Sequence, residues 1–241
     1  MNQLKNSFPN RFLFPFRLWI IGIFFAQAIT PAVAEKNISN TQAKIGPSFA
    51  DIQKSLDRGC EFLLKRQNSD GSWGSPRQTK GLNIFAPVPG SHRAFRLAVT
   101  ALSLSALLEI KVDDKKYSEC IIKAKKHLLD KLPELRRASP MAIYNVWSHS
   151  YGLQALHRMH ETASAADEKK KIQEVMVQQV KMLQTYESID GGWGYYDFNA
   201  QTKQPSGSSI SFVNATGLVA LKEANASGVQ VPSKLVTRAL N

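Results

Sequence analysis

Apolar residues recur every three or four positions along most of the chain after residue 48, which is the period of an α-helix. Three segments combine such an apolar stripe with Lys and Glu on the opposite face, which is typical of half-exposed outer helices. We predict these outer helices at roughly 48–67, 115–131 and 167–186. Each is followed by a segment of smaller, more apolar residues. We predict the corresponding buried inner helices at roughly 92–110, 142–160 and 209–225.

A similar turn follows two of the outer helices. Residues 70–74 read Asp-Gly-Ser-Trp-Gly, and residues 190–194 read Asp-Gly-Gly-Trp-Gly. A Gln precedes each turn, and its amide can both donate to and accept from the unpaired backbone groups of a helix end. Repetition of a helix and turn predicts a repeat architecture. We expect six residues of the two copies to stabilise the repeat rather than to bind a ligand: Gln67, Gly71, Trp73, Gln184, Gly191 and Trp193.

This unit resembles the Gln-Trp motif of the squalene cyclase and prenyltransferase repeat superfamily. Residues 58–74 place a basic residue, Gly, aromatic, Leu, Gln, Gly and Trp where that motif has them, whereas the second copy has three extra residues after Gln184. The resemblance implies an all-α fold, the α/α toroid, in which outer helices surround an inner ring. It also implies that the motif Gln bonds backbone groups of a neighbouring outer helix and that Trp stacks on it.

The number of hairpins predicts a partial toroid. The family ring usually has about six hairpins, whereas this sequence has three, with a fourth outer helix predicted to begin at Pro232. We therefore expect the repeat domain to be incomplete at its C-terminal end. An open repeat edge would also favour self-association, because terminal repeats need a cap.

The N-terminal segment has the features of a secretory signal peptide. Lys5, Arg11 and Arg17 precede an apolar core at residues 18–28, and Ala-Val-Ala at 32–34 is a small-x-small cleavage site. An uncleaved membrane anchor is the alternative, but the core is shorter than the roughly 20 apolar residues of a typical span. We expect cleavage near Ala34 and export to the periplasm or the medium. The predicted organisation is a signal peptide at 1–34, a linker at 35–47 and the repeat domain at 48–241.

The chain is basic, which favours anionic partners. Loss of residues 1–34 would remove three positive charges from the formal net charge of +12, which leaves +9. We expect an anionic polysaccharide, a lipid or a protein as partner, since export argues against nucleic acid. A solvated basic surface without a partner is the alternative.

The two cysteines, Cys60 and Cys120, lie in predicted helices, and the sequence leaves open whether they form a disulfide or stay as buried thiols. No Cys or His cluster has the spacing of a zinc site, and no metal or cofactor is expected.

A candidate ligand site follows from the antiparallel hairpins, which bring the Gly-Trp turns and the N-termini of the inner helices to one end. Helix N-termini favour anions, and aromatic residues with a few polar groups suit a sugar or another polar ligand. The alternative is that the polar members only bond the backbone. The candidate ligand-binding residues are His92, Arg93, Trp147, His149, Tyr195, Tyr196 and Asn214.

No catalytic residue is transferred from the family. Cyclases of the squalene-hopene type use an Asp-x-Asp-Asp acid, and Val112-Asp113-Asp114 lacks its first Asp. The favoured function is ligand or partner binding without catalysis. One alternative is a polysaccharide lyase with Arg93 or His149 as base. Another is a terpene cyclase or prenyltransferase-like enzyme whose catalytic residues lie in a C-terminal half beyond this sequence.

Overall fold

The structure is a computed structural model that describes residues 46–75, 89–110, 115–197, 204–205, 207 and 209–241. The described residues form α-helices and no β-strand, which confirms the all-α prediction. All six predicted hairpin helices are present, with ends within three residues of the predicted bounds, and a further helix follows Pro232. The helices are α1 (Phe49–Arg66), α2 (Pro89–Glu109), α3 (Lys115–Lys131), α4 (Asn145–Thr162), α5 (Ala166–Thr185), α6 (Ser211–Ala226) and α7 (Ser233–Leu240).

The inner helices pack against each other in chain order. Helix α4 contacts α2 on one side and α6 on the other, and it also packs on α5. Helix α3 packs on α2, and α7 packs on α6. Residues 47–241 form one compact unit, in which α4 is central. A row of inner helices with outer helices packed on them agrees with stacked hairpins, while the partial toroid stays a prediction.

Two glycines allow close packing at the middle of the inner helices. A Cβ atom added to Gly152 would lie 2.9 Å from Cδ1 of Leu132, and one added to Gly217 would lie 2.6 Å from Cε3 of Trp193. Gly in a helix interior costs about 1 kcal/mol relative to Ala. Here the absent side chains make room for Leu132 and for the indole ring of Trp193.

The cysteines are buried free thiols. Cys60 lies on α1 and Cys120 on α3. Burial raises the pKa of both thiols, so they stay protonated at neutral pH. The sequence left open a disulfide or two buried thiols, and in the structure Cys60 and Cys120 are buried thiols.

The predicted signal peptide and nearly all of the predicted linker lie outside the described residues, as do Asp113 and Asp114. Within the described ranges, no helix is long and apolar enough to cross a membrane.

Candidate functional site

The two Gly-Trp turns have the same hydrogen bonds. The indole Nε1 of Trp73 donates to the Leu63 carbonyl, and that of Trp193 donates to the Leu183 carbonyl, both at 2.8 Å. The backbone amide of Asn68 donates to the Ser72 carbonyl, and the equivalent bond joins residues 188 and 192. The copies therefore match with one constant offset and no insertion.

This register corrects the assignment of Gln184. In the first copy, Nε2 of Gln67 donates to the carbonyl of Cys120 at 2.8 Å, which ties α1 to α3 as the resemblance implies. The equivalent position is Glu187, whose Oε1 accepts from Nε of Arg238 on α7 at 2.7 Å. Gln184 instead lies exposed on α5. The three-residue insertion is only apparent, because it disappears when Glu187 rather than Gln184 is aligned with Gln67.

Gly71 and Gly191 press their turns onto the next outer helix. Both have a positive φ, 85° and 99°, which L side chains rarely adopt. A Cβ atom at Gly71 would lie 2.4 Å from the carbonyl oxygen of Lys123 on α3, and one at Gly191 would lie 2.2 Å from that of Arg238 on α7. These contacts support the structural role assigned to the two glycines.

His149 is buried inside the protein. Its side chain is fully buried, with Nδ1 2.7 Å from Oε1 of Gln179 and Nε2 3.3 Å from Nδ2 of Asn145. Burial lowers its pKa to about 4, with the charge of Arg136 acting in the same direction and the Gln179 hydrogen bond opposing. The neutral ring that donates from Nδ1 and accepts at Nε2 satisfies both contacts.

Asn214 is also structural. Its Nδ2 donates to the carbonyl of Ala239 at 2.5 Å, which connects α6 to α7. A Cβ atom added to Gly192 would lie only 2.7 Å from Oδ1 of Asn214. His149 and Asn214 thus both contribute to the packing between helices, and ligand contact by either residue stays a prediction.

Trp147, Tyr195 and Tyr196 do come together, in a row of aromatic rings that joins all three inner helices. Trp147 on α4 stacks on Phe212 of α6 with ring centroids 5.8 Å apart, and it lies 6.3 Å from Tyr195. Tyr144 continues the row to Phe95 on α2, at 4.8 Å. Phe95, Tyr144 and Phe212 of this row are not among the residues predicted from the sequence. An aromatic residue near the start of each inner helix was the signal that could have revealed them.

Apolar side chains continue from this row along the exposed side of the inner helices. They occur three or four residues apart on α2 and α4 and seven apart on α6, as on one helix face, and Leu102 and Phe212 are 46% and 55% exposed. Trp147 and Tyr151 fill the space between them, with stacked rings 5.7 Å apart. We call this surface the open face. It consists of Phe95, Val99, Leu102, Trp147, Tyr151, Phe212 and Val219.

Arg93 lies apart from the aromatic row, at a cavity of about 610 Å³ between the start of α2 and the end of α3. His92 is half-buried on α2 and does not line it. The cationic and imidazole side chains of this cavity are Arg93, Arg96, His127, Lys131, Arg136 and Arg137. Only Arg93 was predicted from the sequence, because the others come from three separate segments.

The described residues contain no group of three His, Cys, Asp or Glu side chains that could bind a metal ion. No family model, no curated protein and no solved structure matches this chain.

Proposed function

We propose that the chain is an exported repeat protein of the α/α-toroid kind, resembling squalene cyclases in fold, and that it binds an apolar ligand or partner without catalysis. The observation that carries this proposal is the open face. It exposes large apolar side chains on α2 and α6, with Trp147 and Tyr151 of α4 between them. Contiguous exposed apolar surface on a folded protein marks an interaction site more often than a scattered residue does.

The energetics favour an occupant for this surface. Covering a fully exposed Phe, Leu or Val contributes about 1.5–3 kcal/mol. Two of the open-face rings are held by aromatic neighbours, since Phe95 packs at a tilt on Tyr144 and Phe212 stacks on Trp147, so less side-chain freedom remains to be lost on binding. Flat rings joined in this way suit an apolar ligand with a ring system or an apolar protein surface.

The geometry favours binding over the lyase alternative. His149 is fully buried and both of its ring nitrogens have partners, so it does not reach a substrate. Arg93 is exposed, but a guanidinium carries only N–H donors and no acceptor, which suits it to bind an anion rather than to act as a base.

A neutral apolar dye, N-phenyl-1-naphthylamine, tests the open face. The fluorescence of this dye rises when it leaves water for an apolar surface, so the rise reports binding, and the paired variants below assign that binding to the open face. We expect saturable binding, and roughly tenfold weaker binding after Phe95→Ser and Phe212→Ser together, because about 1.4 kcal/mol of lost contact is tenfold in affinity.

The matched control is Phe62→Ser with Ile122→Ser, which removes two apolar side chains that are 58% and 65% exposed on outer helices. Dye binding should survive in this control. Equal loss in both double variants, or no saturable binding to the unaltered protein, would refute the proposal. Sedimentation at several concentrations then distinguishes a second copy from another partner, because only self-association through the open face disappears with the first double variant.

A further inference from the structure

The cavity beside Arg93 carries more positive charge than its acidic residues neutralise. It is lined by five Arg and Lys residues and by two acidic ones, Asp70 and Glu134. Its volume of about 610 Å³ falls within the range of small-molecule sites. Four segments form it: the turn after α1 that carries Asp70, the start of α2, the second half of α3 and the loop at 134–138.

Three of the five cations have acidic partners. Arg96 pairs with Asp70 at 3.1 Å and Lys131 with Glu134 at 3.0 Å. Burial alone would raise the pKa of Asp70. Hydrogen bonds from Ser72 and the charge of Arg96 outweigh burial and keep this pKa below its ordinary value, so the carboxylate is ionised and held by these contacts. The third cation, Arg137, reaches outside the cavity lining to Asp197, which is fully buried, at 3.1 Å.

Arg93 and Arg136 remain without an acidic partner among the described residues. Arg136 is positioned rather than neutralised, because its Nη1 donates to the carbonyls of Pro133 and Leu135, both at 2.8 Å. Arg93 projects from the second turn of α2, near the positive end of that helix. Two guanidinium groups from different segments thus line one concave surface with their charge uncompensated.

We propose that this cavity binds a phosphate group, with Arg93 and Arg136 as its ligands. One guanidinium group can donate two parallel hydrogen bonds to two oxygens of a phosphate, and the two charges of a phosphate dianion match the two uncompensated arginines. Leu97, Leu135 and Ala138 supply an apolar part of the lining for the carbon portion of a phosphate ester. Neither arginine belongs to the open face, so this proposal and the proposed function stand or fall separately.

Calorimetric titration with inorganic phosphate and with glycerol 3-phosphate, at constant ionic strength, tests the site. We expect saturable binding that weakens about tenfold or more in an Arg93→Gln/Arg136→Gln variant, because hydrogen bonds to charged groups are the strong ones. The control is Arg58→Gln/Arg66→Gln, which removes the same charge from exposed residues of α1. It should bind like the unaltered protein.

Single changes at Arg93 guard against misfolding of the double variant, since Arg93 is exposed and its side chain makes no backbone contact of the kind Arg136 makes. Arg93→Gln should weaken binding and Arg93→Lys should restore part of it. Flotation with phosphatidylglycerol or phosphatidylcholine vesicles separates a lipid headgroup from a soluble phosphate. Binding in either arm that the cavity variant loses and the α1 control keeps supports the proposal. No saturable binding in any arm, or equal loss in the two double variants, overturns it.

Discussion

Gln67 and Glu187 occupy equivalent positions and stabilise equivalent junctions by different chemistry. Gln67 donates to a backbone carbonyl of α3, whereas Glu187 accepts from the Arg238 guanidinium of α7. Glu187 is nearly buried, so its pairing with Arg238 matters more than a surface ion pair would. A search for a second Gln therefore could not find this residue, because the fold needs only a polar group that reaches the next outer helix.

His149 gives a pH dependence of stability. The unfolded imidazole has a pKa of about 6.5 and the folded one about 4. Between these values the unfolded chain binds a proton that the folded protein excludes, so stability falls as the pH is lowered through this window. We expect the free energy of unfolding to drop by about 2 kcal/mol between pH 7 and pH 5 from this residue.

Urea unfolding of the unaltered protein and of His149→Gln at both pH values checks this expectation. The variant should lose most of the drop, while a His160→Gln control should keep it. His160 also has a lowered pKa, caused first by burial, but it is only half-buried on α4. A pH dependence that His149→Gln leaves unchanged would show that the ring is accessible to protons in the folded protein.

At the scale of helices and turns, the sequence predicted most of the structure, because the outer helices carry a clear apolar period and a Gly-Trp turn follows two of them. What it could not predict is which side chains from different helices meet. The aromatic row joins Phe95, Tyr144 and Phe212 across α2, the loop before α4, and α6. His149 is fully buried and Asn214 bonds the Ala239 carbonyl, and such contacts depend on how the helices pack rather than on spacing along the chain.

Two glycines of the first and second motif copies should respond oppositely to the same substitution. Gly191→Ala places a Cβ atom 2.2 Å from a backbone oxygen of α7 at a φ of 99°, so we expect a loss of at least about 2 kcal/mol. Gly59 lies inside α1 with nothing within 4 Å of an added Cβ atom. Gly59→Ala should therefore stabilise the protein by about 0.5–1 kcal/mol. Urea unfolding of both variants measures the two effects, and a neutral Gly191→Ala would contradict the turn geometry.

In the whole molecule, the open face and the cationic cavity are separate regions of the same row of hairpins. The sequence located Trp147 at the first and Arg93 at the second, but it treated them as one site, since both lie near the start of an inner helix. The structure separates them because Arg93 points toward α3, where the cavity lies, while Trp147 lies against Phe212 of α6. An apolar and a cationic region on one protein would suit partners of different chemistry.

Export would place both regions outside the cytosol, where they would meet those partners. The basic start, apolar core and Ala-Val-Ala site of residues 1–34 predict cleavage by signal peptidase, because that enzyme accepts small residues at the two specificity positions. N-terminal sequencing of the protein made in a bacterial host should begin at Glu35. Ala34→Arg should leave an uncleaved, membrane-associated precursor. The control is Glu35→Gln, which changes the charge after the cleavage site but leaves the small residues before it intact, and it should still be cleaved. A protein that keeps Met1 and stays in the cytosol would overturn the localisation.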